Sequence, residues 1–237
     1  MPPVAKPLSD LNLRRLPVLL SLNGGYLDTA GFLALHGLFT AHVTGNFVTI
    51  GASFAHGTSG AVAKLLALPV FCVVVVLTRL LAYRLPGWGL PVLRTMLTLK
   101  LLLLCAGAVL AIRLGPFADG DSWDALLTSL VLVAAMAIQN AAHRIHLAFA
   151  PPTTLMTGTT TQLMIDLADL LHGGPDQTGD AIRPRLRTMA TSVLVFAAGC
   201  LAAAALYILY GMWCFAVPPV LALGALWLQR GPLGEAG

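Results

Sequence analysis

Two short polar motifs interrupt a largely apolar sequence, and their side chains are the ones best suited to bind a small molecule. Ala41–Thr49 contains the triplet Thr44-Gly45-Asn46, and Thr154–Thr161 contains the triplet Thr157-Gly158-Thr159. At a helix start a threonine hydroxyl accepts hydrogen bonds from free N–H groups, and glycine lets a ligand approach the backbone. Those N–H groups carry partial positive charge and suit an anionic or carbonyl-bearing solute. A single motif would be explained by a tight turn, whereas two in matching positions leave binding and packing equally open.

Asp28 is the one acidic residue in the first long apolar segment, about residues 16–38. At helical spacing it shares a face with Gly24 and Gly31, and such a stripe of small residues favours close helix packing. An ionisable side chain inside a membrane segment indicates a functional site. Asp28 is therefore predicted to relay a proton or to pair with a cation such as Lys100. The alternative is a structural hydrogen bond to a neighbouring helix.

Amide side chains occur in the corresponding segment of each half of the sequence. Asn23 lies in the first half, and Gln139 and Asn140, which correspond to it after a slip of one helical turn, lie in the second. One amide is commonly satisfied across a helix pair, whereas two adjacent amides favour a binding role. The predicted substrate-binding residues are Asn23, Asp28, Thr44, Gly45, Asn46, Gln139, Asn140, Thr157, Gly158 and Thr159.

A polar stripe at helical spacing follows the second motif and lies opposite a leucine-rich face. Its members are Thr159, Gln162, Asp166 and Asp169. The stripe either lines a water path toward the cytoplasm or forms a wet face at the membrane surface, and the second interpretation is the simpler. The nearby basic side chains are predicted to orient the chain and to contact lipid phosphate. They are Arg144, Arg183, Arg185 and Arg187.

No arrangement of residues predicts a metal, a cofactor or catalysis. The four cysteines stand singly in apolar runs, and the pair His143 and His146 lacks further ligands at a metal-binding spacing. Nucleophile-elbow, zinc-protease, phosphate-loop and dinucleotide-binding glycine patterns are absent from the sequence. We therefore expect no cofactor and no enzymatic activity.

The composition is that of an integral membrane protein. Of the 237 residues, 57% are hydrophobic and 10% are charged, whereas a soluble domain carries about 25% charged residues. This length provides roughly six to eight spans of about 20 residues each. The net charge of +4 is interpreted as loop orientation and contact with anionic lipid, not as a nucleic-acid footprint.

The apolar segments follow the same order twice: one long segment, one short segment and two long ones. The first set covers about residues 16–113 and the second about residues 122–229, within a single integral membrane domain of residues 1–237. The short segments are poor spans. A helix from Thr44 to His56 rises only about 20 Å, against a hydrocarbon core of about 30 Å, and the second short segment carries two aspartates.

Charge placement favours about six transmembrane helices plus two re-entrant or half-membrane helices over eight full spans. With six spans and both termini cytoplasmic, 12 of the 14 Lys and Arg side chains lie inside, and eight spans would divide them 9 to 5. The excess of positive charge on cytoplasmic loops prefers the first topology. The two halves then run in opposite directions as an inverted 3+3 repeat, in which paired short segments point to a transport site.

Four stretches of the chain, Gly25–Asp28, Ala30–Asn46, Ala137–Ala141 and Met156–Gly158, carry a resemblance to a known family. They resemble the YoaK-like bacterial membrane proteins, which are grouped as a domain of unknown function, and the likeness extends over nearly the whole chain. The resemblance implies a multi-pass protein of the bacterial inner membrane with about six spans. It implies no established substrate.

The residues and the topology together predict an all-α, polytopic small-solute transporter or permease. Its partners are the lipid bilayer and an unidentified small solute, with no nucleic acid, and a homo-oligomer is left open. The alternative is a membrane scaffold or assembly protein in which the polar motifs only lock helix packing. An intramembrane enzyme is the third and least favoured interpretation.

Overall fold

Eight α-helices form the chain in the computed structural model, which describes residues 11–172 and 179–229. The helices are α1 Leu11–Ala34, α2 Gly45–His56, α3 Ala61–Arg84, α4 Val92–Leu114, α5 Trp123–His146, α6 Met156–His172, α7 Gly179–Tyr210 and α8 Val217–Leu228. Two 3-10 turns, Leu85–Trp88 and Gly211–Ala216, follow α3 and α7. The described ranges contain no strand, so the predicted all-α fold is confirmed there. The basic residues Lys6 and Arg230 lie outside these ranges.

The first long helix ends earlier than the apolar pattern predicts. α1 stops at Ala34 and not near Leu38, because His36 and Gly37 adopt left-handed backbone angles, with φ of 53° and 81°. Left-handed residues cannot continue a right-handed helix. The chain therefore reverses after α1, and the loop that follows runs back along that helix.

Prolines mark two further differences from the predicted boundaries. The apolar pattern predicts a helix from Thr188, but the chain is already helical at Gly179, where the described residues resume, and this helix, α7, contains Pro184. The basic segment 183–187 is therefore helical. Pro218 and Pro219 lie in the first turn of α8, where proline is tolerated because the N–H it lacks would have no partner. They begin a helix after a 3-10 turn and do not kink a continuous one.

The contacts between helices repeat when the two halves of the chain are exchanged. α1 packs on α7, and its counterpart α5 packs on α3. α2 packs on α3 as α6 packs on α7, and α4 packs on α5 as α8 packs on α1. α4 and α8 also contact each other, as do α1 and α5. The set of contacts between the α-helices therefore stays the same when each helix is exchanged for its counterpart in the other half.

The contact between α1 and α7 is close because two glycines face opposing backbone. A Cβ at Gly25 would overlap the carbonyl oxygen of Phe196, and a Cβ at Gly199 would overlap that of Leu22. Small residues at these positions let two helices approach to backbone contact.

Four helical stretches among the described residues are long and apolar enough to cross a membrane: Ala61–Trp88, Val92–Leu114, Trp123–His146 and Ile182–Leu228. The most apolar window of α5 is 67% buried, against 17% for the stretch that contains α3. α5 therefore lies at the centre of the bundle, and the outer face of α3 is left for lipid. α1 is not in this set, and its sequence includes Ser21, Asn23 and Asp28.

Candidate functional site

The carboxylate of Asp28 fastens the loop between α1 and α2 onto α1. Asp28 is only 4% exposed. Its oxygens accept hydrogen bonds from the N–H groups of Ala41 (2.6 Å) and His42 (3.1 Å) and from the hydroxyl of Thr40 (3.2 Å). A buried carboxylate needs such donors to offset its lost hydration. Asp28 forms no ion pair among the described residues, and its hydrogen bonds go to a loop and not to the neighbouring helix that the structural alternative predicted.

Gly31 gives this loop the space to lie against α1. A Cβ at Gly31 would come within 2.8 Å of the Thr40 methyl carbon and 3.3 Å of the Leu38 carbonyl oxygen. The predicted stripe of small residues on α1 therefore does permit close packing. The partner at Gly31 is a loop, whereas the sequence predicted a helix.

Asn46, in the first turn of α2, closes the same loop from the other side. Its Nδ2 donates to the carbonyl of Phe39 (2.9 Å), and its Oδ1 accepts from the N–H of Phe39 (2.8 Å). The Phe39 ring lies over Gly45, where a Cβ would be 3.0 Å from a ring carbon. Both polar atoms of Asn46 are thus occupied by the loop backbone.

The prediction that Thr44 caps α2 is wrong. Its hydroxyl makes no capping hydrogen bond, because Thr44 already has helical backbone angles (φ −68°, ψ −24°). The N–H groups of Gly45, Asn46 and Phe47 donate instead to the carbonyl oxygens of residues 42–44. The start of α2 therefore offers no free N–H group to an anion at these three positions.

In the second half of the chain, Asn140 has the place that Asp28 has in the first. Asn140 lies six residues before the end of α5 at His146, as Asp28 lies six residues before the end of α1 at Ala34. Its Oδ1 accepts a hydrogen bond from the hydroxyl of Thr154 (2.7 Å) in the loop before α6. The sequence predicted that Asn140 corresponds to Asn23, whereas its hydrogen bond to the loop shows that it corresponds to Asp28.

Gln139 joins this second loop to α1 and α4. Its Nε2 donates to the carbonyl of Leu20 (3.0 Å) and the hydroxyl of Thr153 (3.1 Å). Its Oε1 accepts from the Lys100 ammonium group (2.5 Å), and both side chains are fully buried. The loop rests on the other end of the glycine stripe, since a Cβ at Gly24 would lie 2.5 Å from the Thr153 carbonyl oxygen.

Lys100 is a buried cation without an acidic partner in the described part of the chain. The sequence offered Asp28 as its counter-ion, but its ammonium group donates to the Gln139 amide and forms no ion pair there. An isolated charge inside a membrane segment is costly and usually has a function. Lys100 is therefore a candidate functional residue. Sequence reasoning named it only as a partner for Asp28, and its place inside an apolar segment was the signal that could have identified it.

Asn23 lies apart from both loops. Its Nδ2 donates to the carbonyl of Pro218 (3.4 Å), and the neighbouring Tyr26 hydroxyl donates to the carbonyl of Cys214 (2.8 Å). These bonds tie α1 to the start of α8. The sequence predicted that Asn23 and Asp28 belong to one site, but the hydrogen bonds of Asn23 and those of Asp28 go to different parts of the fold.

The centre of the polar stripe on α6 faces α7 and not water. Asp166 is 0% exposed and accepts two hydrogen bonds from Arg185, at 2.6 and 2.5 Å, and one from the Gln162 amide at 2.7 Å. The bonds from Arg185, and then that from Gln162, hold the pKa of Asp166 below its ordinary value despite burial. The prediction of a wet face is wrong for Asp166, whereas Gln162 and Asp169 are exposed.

A cavity of about 1040 Å³ opens between the second loop, α6 and α7. Of the predicted site residues it contains Gly158 and Thr159, whereas Thr157 is exposed on another face of α6. Three arginines from two helices line it: Arg144, Arg185 and Arg187. Sequence reasoning assigned these arginines to lipid contact, and only the clustering of charge at residues 183–187 could have indicated the cavity.

The described residues include no group of three or more His, Cys, Asp or Glu side chains that could hold a metal ion. The chemistry available here is that of hydrogen bonding and charge. Groups of this kind bind and orient a polar solute.

The fold is that of a helical, membrane-like protein with two similar loop–helix arrangements. Residues 16–228 match a family described as "Protein of unknown function (DUF1275)", and the chain belongs to that family. The match agrees with the expected domain of unknown function, but it does not carry the YoaK-like name. No curated protein and no solved structure matches the chain.

Proposed function

We propose that this protein is a small-solute transporter of the bacterial inner membrane, built as an inverted 3+3 repeat. The observation that carries the proposal is the exchange of contacts: each helix of one half has the neighbours of its counterpart in the other. In both halves a polar side chain, the buried Asp28 or the half-buried Asn140, holds the loop that precedes a short helix. Paired short helices in an inverted repeat are typical of transporters whose site lies between the halves.

The position of Ser59 supports α2 as a half-membrane helix. The Ser59 hydroxyl, just past the end of α2, lies 3.2 Å from the ring of His36, just past the end of α1. A spanning α2 would place these residues about 30 Å apart. The loop contacts Asp28, six residues or about 9 Å below the end of α1, and α2 then returns to the level of His36.

The candidate spans account for five of the six proposed crossings. Ile182–Leu228 has 47 residues, enough for two spans of about 20 residues, and Gly211 (φ 56°) lies between them. α3, α4 and α5 supply three crossings, and α1 supplies the sixth. Both termini and the arginine-lined cavity then lie on the cytoplasmic side, in agreement with the excess of basic residues there.

Topology is testable with single cysteines introduced at Thr58 and Gly87, which are exposed and hold no hydrogen bond that the change would remove. Six spans place Thr58 outside and Gly87 inside, whereas eight spans reverse both positions. The four native cysteines are first replaced by alanine or serine. Labelling of intact cells with a membrane-impermeant maleimide at Gly87→Cys, with none at Thr58→Cys, would contradict the proposed topology.

Transport is testable with two matched glycine variants. A Cβ at Gly158 or at Gly51 meets no atom within 4 Å, but only Gly158 lines the cavity. Proteoliposomes of wild type and Gly51→Phe, incubated with a bacterial metabolite extract, are expected to accumulate a solute that empty vesicles do not. Gly158→Phe is expected to block that uptake. Mass spectrometry of the vesicle contents gives the result, and absence of uptake by every protein would refute transport.

A scaffold function is the second candidate, and the first half of the chain favours it. Every polar atom that Asp28 and Asn46 present is already satisfied by the loop backbone or by Thr40. Such contacts lock packing without a ligand. No catalytic role is part of either proposal.

A further inference from the structure

We infer that the cavity between α6 and α7 binds an organic anion, whose oxyanion group lies among the arginines and the start of α6. This assignment names the substrate class of the transporter and so rests on the proposed function. It is carried by the charge of the cavity, by the start of α6, by two hydroxyl groups that line the cavity and by its apolar wall.

The cavity has an excess of positive charge. Arg144, Arg185 and Arg187 line it, and no Asp or Glu side chain is part of its lining. Arg185 forms an ion pair with Asp166, which lies on α6 outside the cavity lining, and the other two arginines form no ion pair with the described residues. Opposite charge is attracted more strongly to a partly enclosed space than to open water.

The start of α6 points to the same kind of ligand. Among the described residues the N–H groups of Met156, Thr157 and Gly158 donate to no loop carbonyl, and of these three residues Gly158 lines the cavity. The free N–H groups of a 17-residue helix carry partial positive charge. The backbone at Gly158 is open, because a Cβ there would meet no atom within 4 Å.

Two largely buried side chains present hydroxyl groups to the cavity. Thr159 is 6% exposed and Ser192 is 2% exposed, and both line the cavity. Neither has a hydrogen-bond partner within the described ranges, whereas the hydroxyls of Thr161, Thr188 and Thr191 bond to their own helices. Because these two hydroxyls are open to the cavity, they are available to donate hydrogen bonds to a ligand there.

The remaining wall of the cavity is apolar and indicates an organic body on the anion. Phe149, Pro151, Leu155 and Met189 supply this wall. The volume of about 1040 Å³ is at the upper end of sites that hold small organic ligands, about 300–1,000 Å³. A carboxylate or phosphate with an attached apolar group satisfies both parts of the lining. A phospholipid headgroup shares the oxyanion chemistry, so the test separates the two sources.

The test measures binding of phenylphosphate and phenylacetate to the full-length protein in phosphatidylcholine nanodiscs by calorimetry. Phenyltrimethylammonium carries the same phenyl group with a positive charge and serves as the cationic probe. Wild type is expected to bind at least one aryl anion and not the cation. Arg187→Gln is expected to weaken binding about tenfold, through loss of a charge-assisted hydrogen bond, and Ser192→Ala a few-fold. Arg94→Gln, an exposed arginine outside the cavity, is the matched control and is expected to bind like wild type.

Three results would overturn the inference. The first is that neither aryl anion binds. The second is that Arg187→Gln and Arg94→Gln lose binding equally. The third is that added phosphatidylglycerol binds where the aryl anions do not, which would make this a lipid site. Flux of an uncharged or cationic solute without aryl-anion binding would refute the anion site and leave transport standing. Aryl-anion binding that depends on Arg187, without any flux, would support the site and refute transport.

Discussion

Residues 28–56 and residues 140–172 form a first and a second loop–helix unit with the same plan, and the two units differ in how their polar groups are satisfied. In the first unit, Asp28 and Asn46 bind the loop backbone, and the first N–H groups of α2 donate to carbonyls. In the second unit, Asn140 receives one hydroxyl, and the start of α6 faces a cavity lined by arginines. Similar sequence motifs therefore form a closed unit in one half and an open one in the other.

This difference distinguishes a unit whose polar groups serve packing from a unit whose polar groups are available for binding. The first unit needs no ligand to satisfy its polar atoms, whereas the second leaves hydroxyl and N–H groups that a solute would satisfy. Under the proposed topology the structure is open toward the cytoplasm and closed toward the other side. A transporter that alternates between its two sides requires this kind of asymmetry between equivalent units.

The largest expected effect is that of Asp28→Ala in the first unit. The change leaves two buried N–H groups and one hydroxyl without an acceptor, at about 1–3 kcal/mol for each unsatisfied group. We expect the free energy of unfolding to fall by about 4 kcal/mol, measured as a lower apparent melting temperature in size-exclusion assays of detergent-solubilised protein.

Asn140→Ala is the matched change in the second unit and removes one acceptor, at about 1 kcal/mol. Asp28→Asn keeps one oxygen acceptor and is expected to lie between the two. An Asn140→Ala protein as unstable as Asp28→Ala would show that the two units are equally closed, contrary to the comparison.

A loss between those of Asp28→Ala and Asn140→Ala is expected when Gln139→Leu removes the acceptor of the Lys100 ammonium group. A hydrogen bond to a charged group contributes about 1.5–3 kcal/mol, whereas replacing both partners by apolar groups of the same shape is often nearly neutral. We expect a decrease of about 2 kcal/mol for the single variant and recovery of most of it in Lys100→Met with Gln139→Leu. Chemical denaturation of the two variants measures both values, and a double variant no more stable than Gln139→Leu would refute the charge argument.

Arg185→Gln is expected to destabilise the second unit in a pH-dependent way. Because Arg185 holds the pKa of Asp166 below its ordinary value of 3.8, the pair stabilises the fold above that pH. Its contribution is lost as the pH falls through the lower folded-state pKa. The apparent melting temperature of the variant should be lower than that of wild type at pH 7, and the difference should shrink below about pH 4.

Arg183→Gln is the control for this pH series, because it removes the same charge from an exposed position on the same turn of α7. It is expected to follow wild type at every pH. A constant difference between wild type and Arg185→Gln from pH 3 to 7 would mean that the ion pair does not stabilise α6 on α7.

The smallest effect is expected at Gly158 in the second unit. Gly158→Ala places a methyl group in open space and favours the helix, so stability should rise by up to about 1 kcal/mol. The matched change in the first unit, Gly31→Ala, puts a Cβ 2.8 Å from the Thr40 methyl carbon and should lose about 1–3 kcal/mol. Thermal melts of the two alanine variants that shift in the same direction would contradict the contrast between a closed and an open unit.

Much of the fold was predictable because it depends on local pattern. The apolar segments place all eight helices to within a few residues at most boundaries, since an apolar run of sufficient length forms a helix wherever backbone groups must bond internally. The early end of α1 was missed because His36 adopts a left-handed conformation that its residue type does not require. The early start of α7 was missed because Pro184 and its arginines resemble a loop.

The candidate site was predictable only in part. Gly158 and Thr159 do line the cavity, whereas the predicted pairing of Lys100 with Asp28 is wrong, because Lys100 donates to Gln139. The pairing of Asp166 with Arg185 and the bonds of Asn46 to Phe39 were not predicted. Each depends on which helix face turns toward a neighbour, and that orientation is decided by side-chain packing across elements.

The sequence by itself determined the membrane class, the repeated order of segments and the two short polar helices, because these follow from hydropathy and length along the chain. Only the tertiary structure decided that one polar unit is closed and the other open. The reason is that satisfaction of a polar group depends on partners brought from elsewhere. Asp28 finds its donors in the loop that Gly31 allows to approach, whereas Gly158 at the start of α6 lines an open cavity that arginines from α5 and α7 also line.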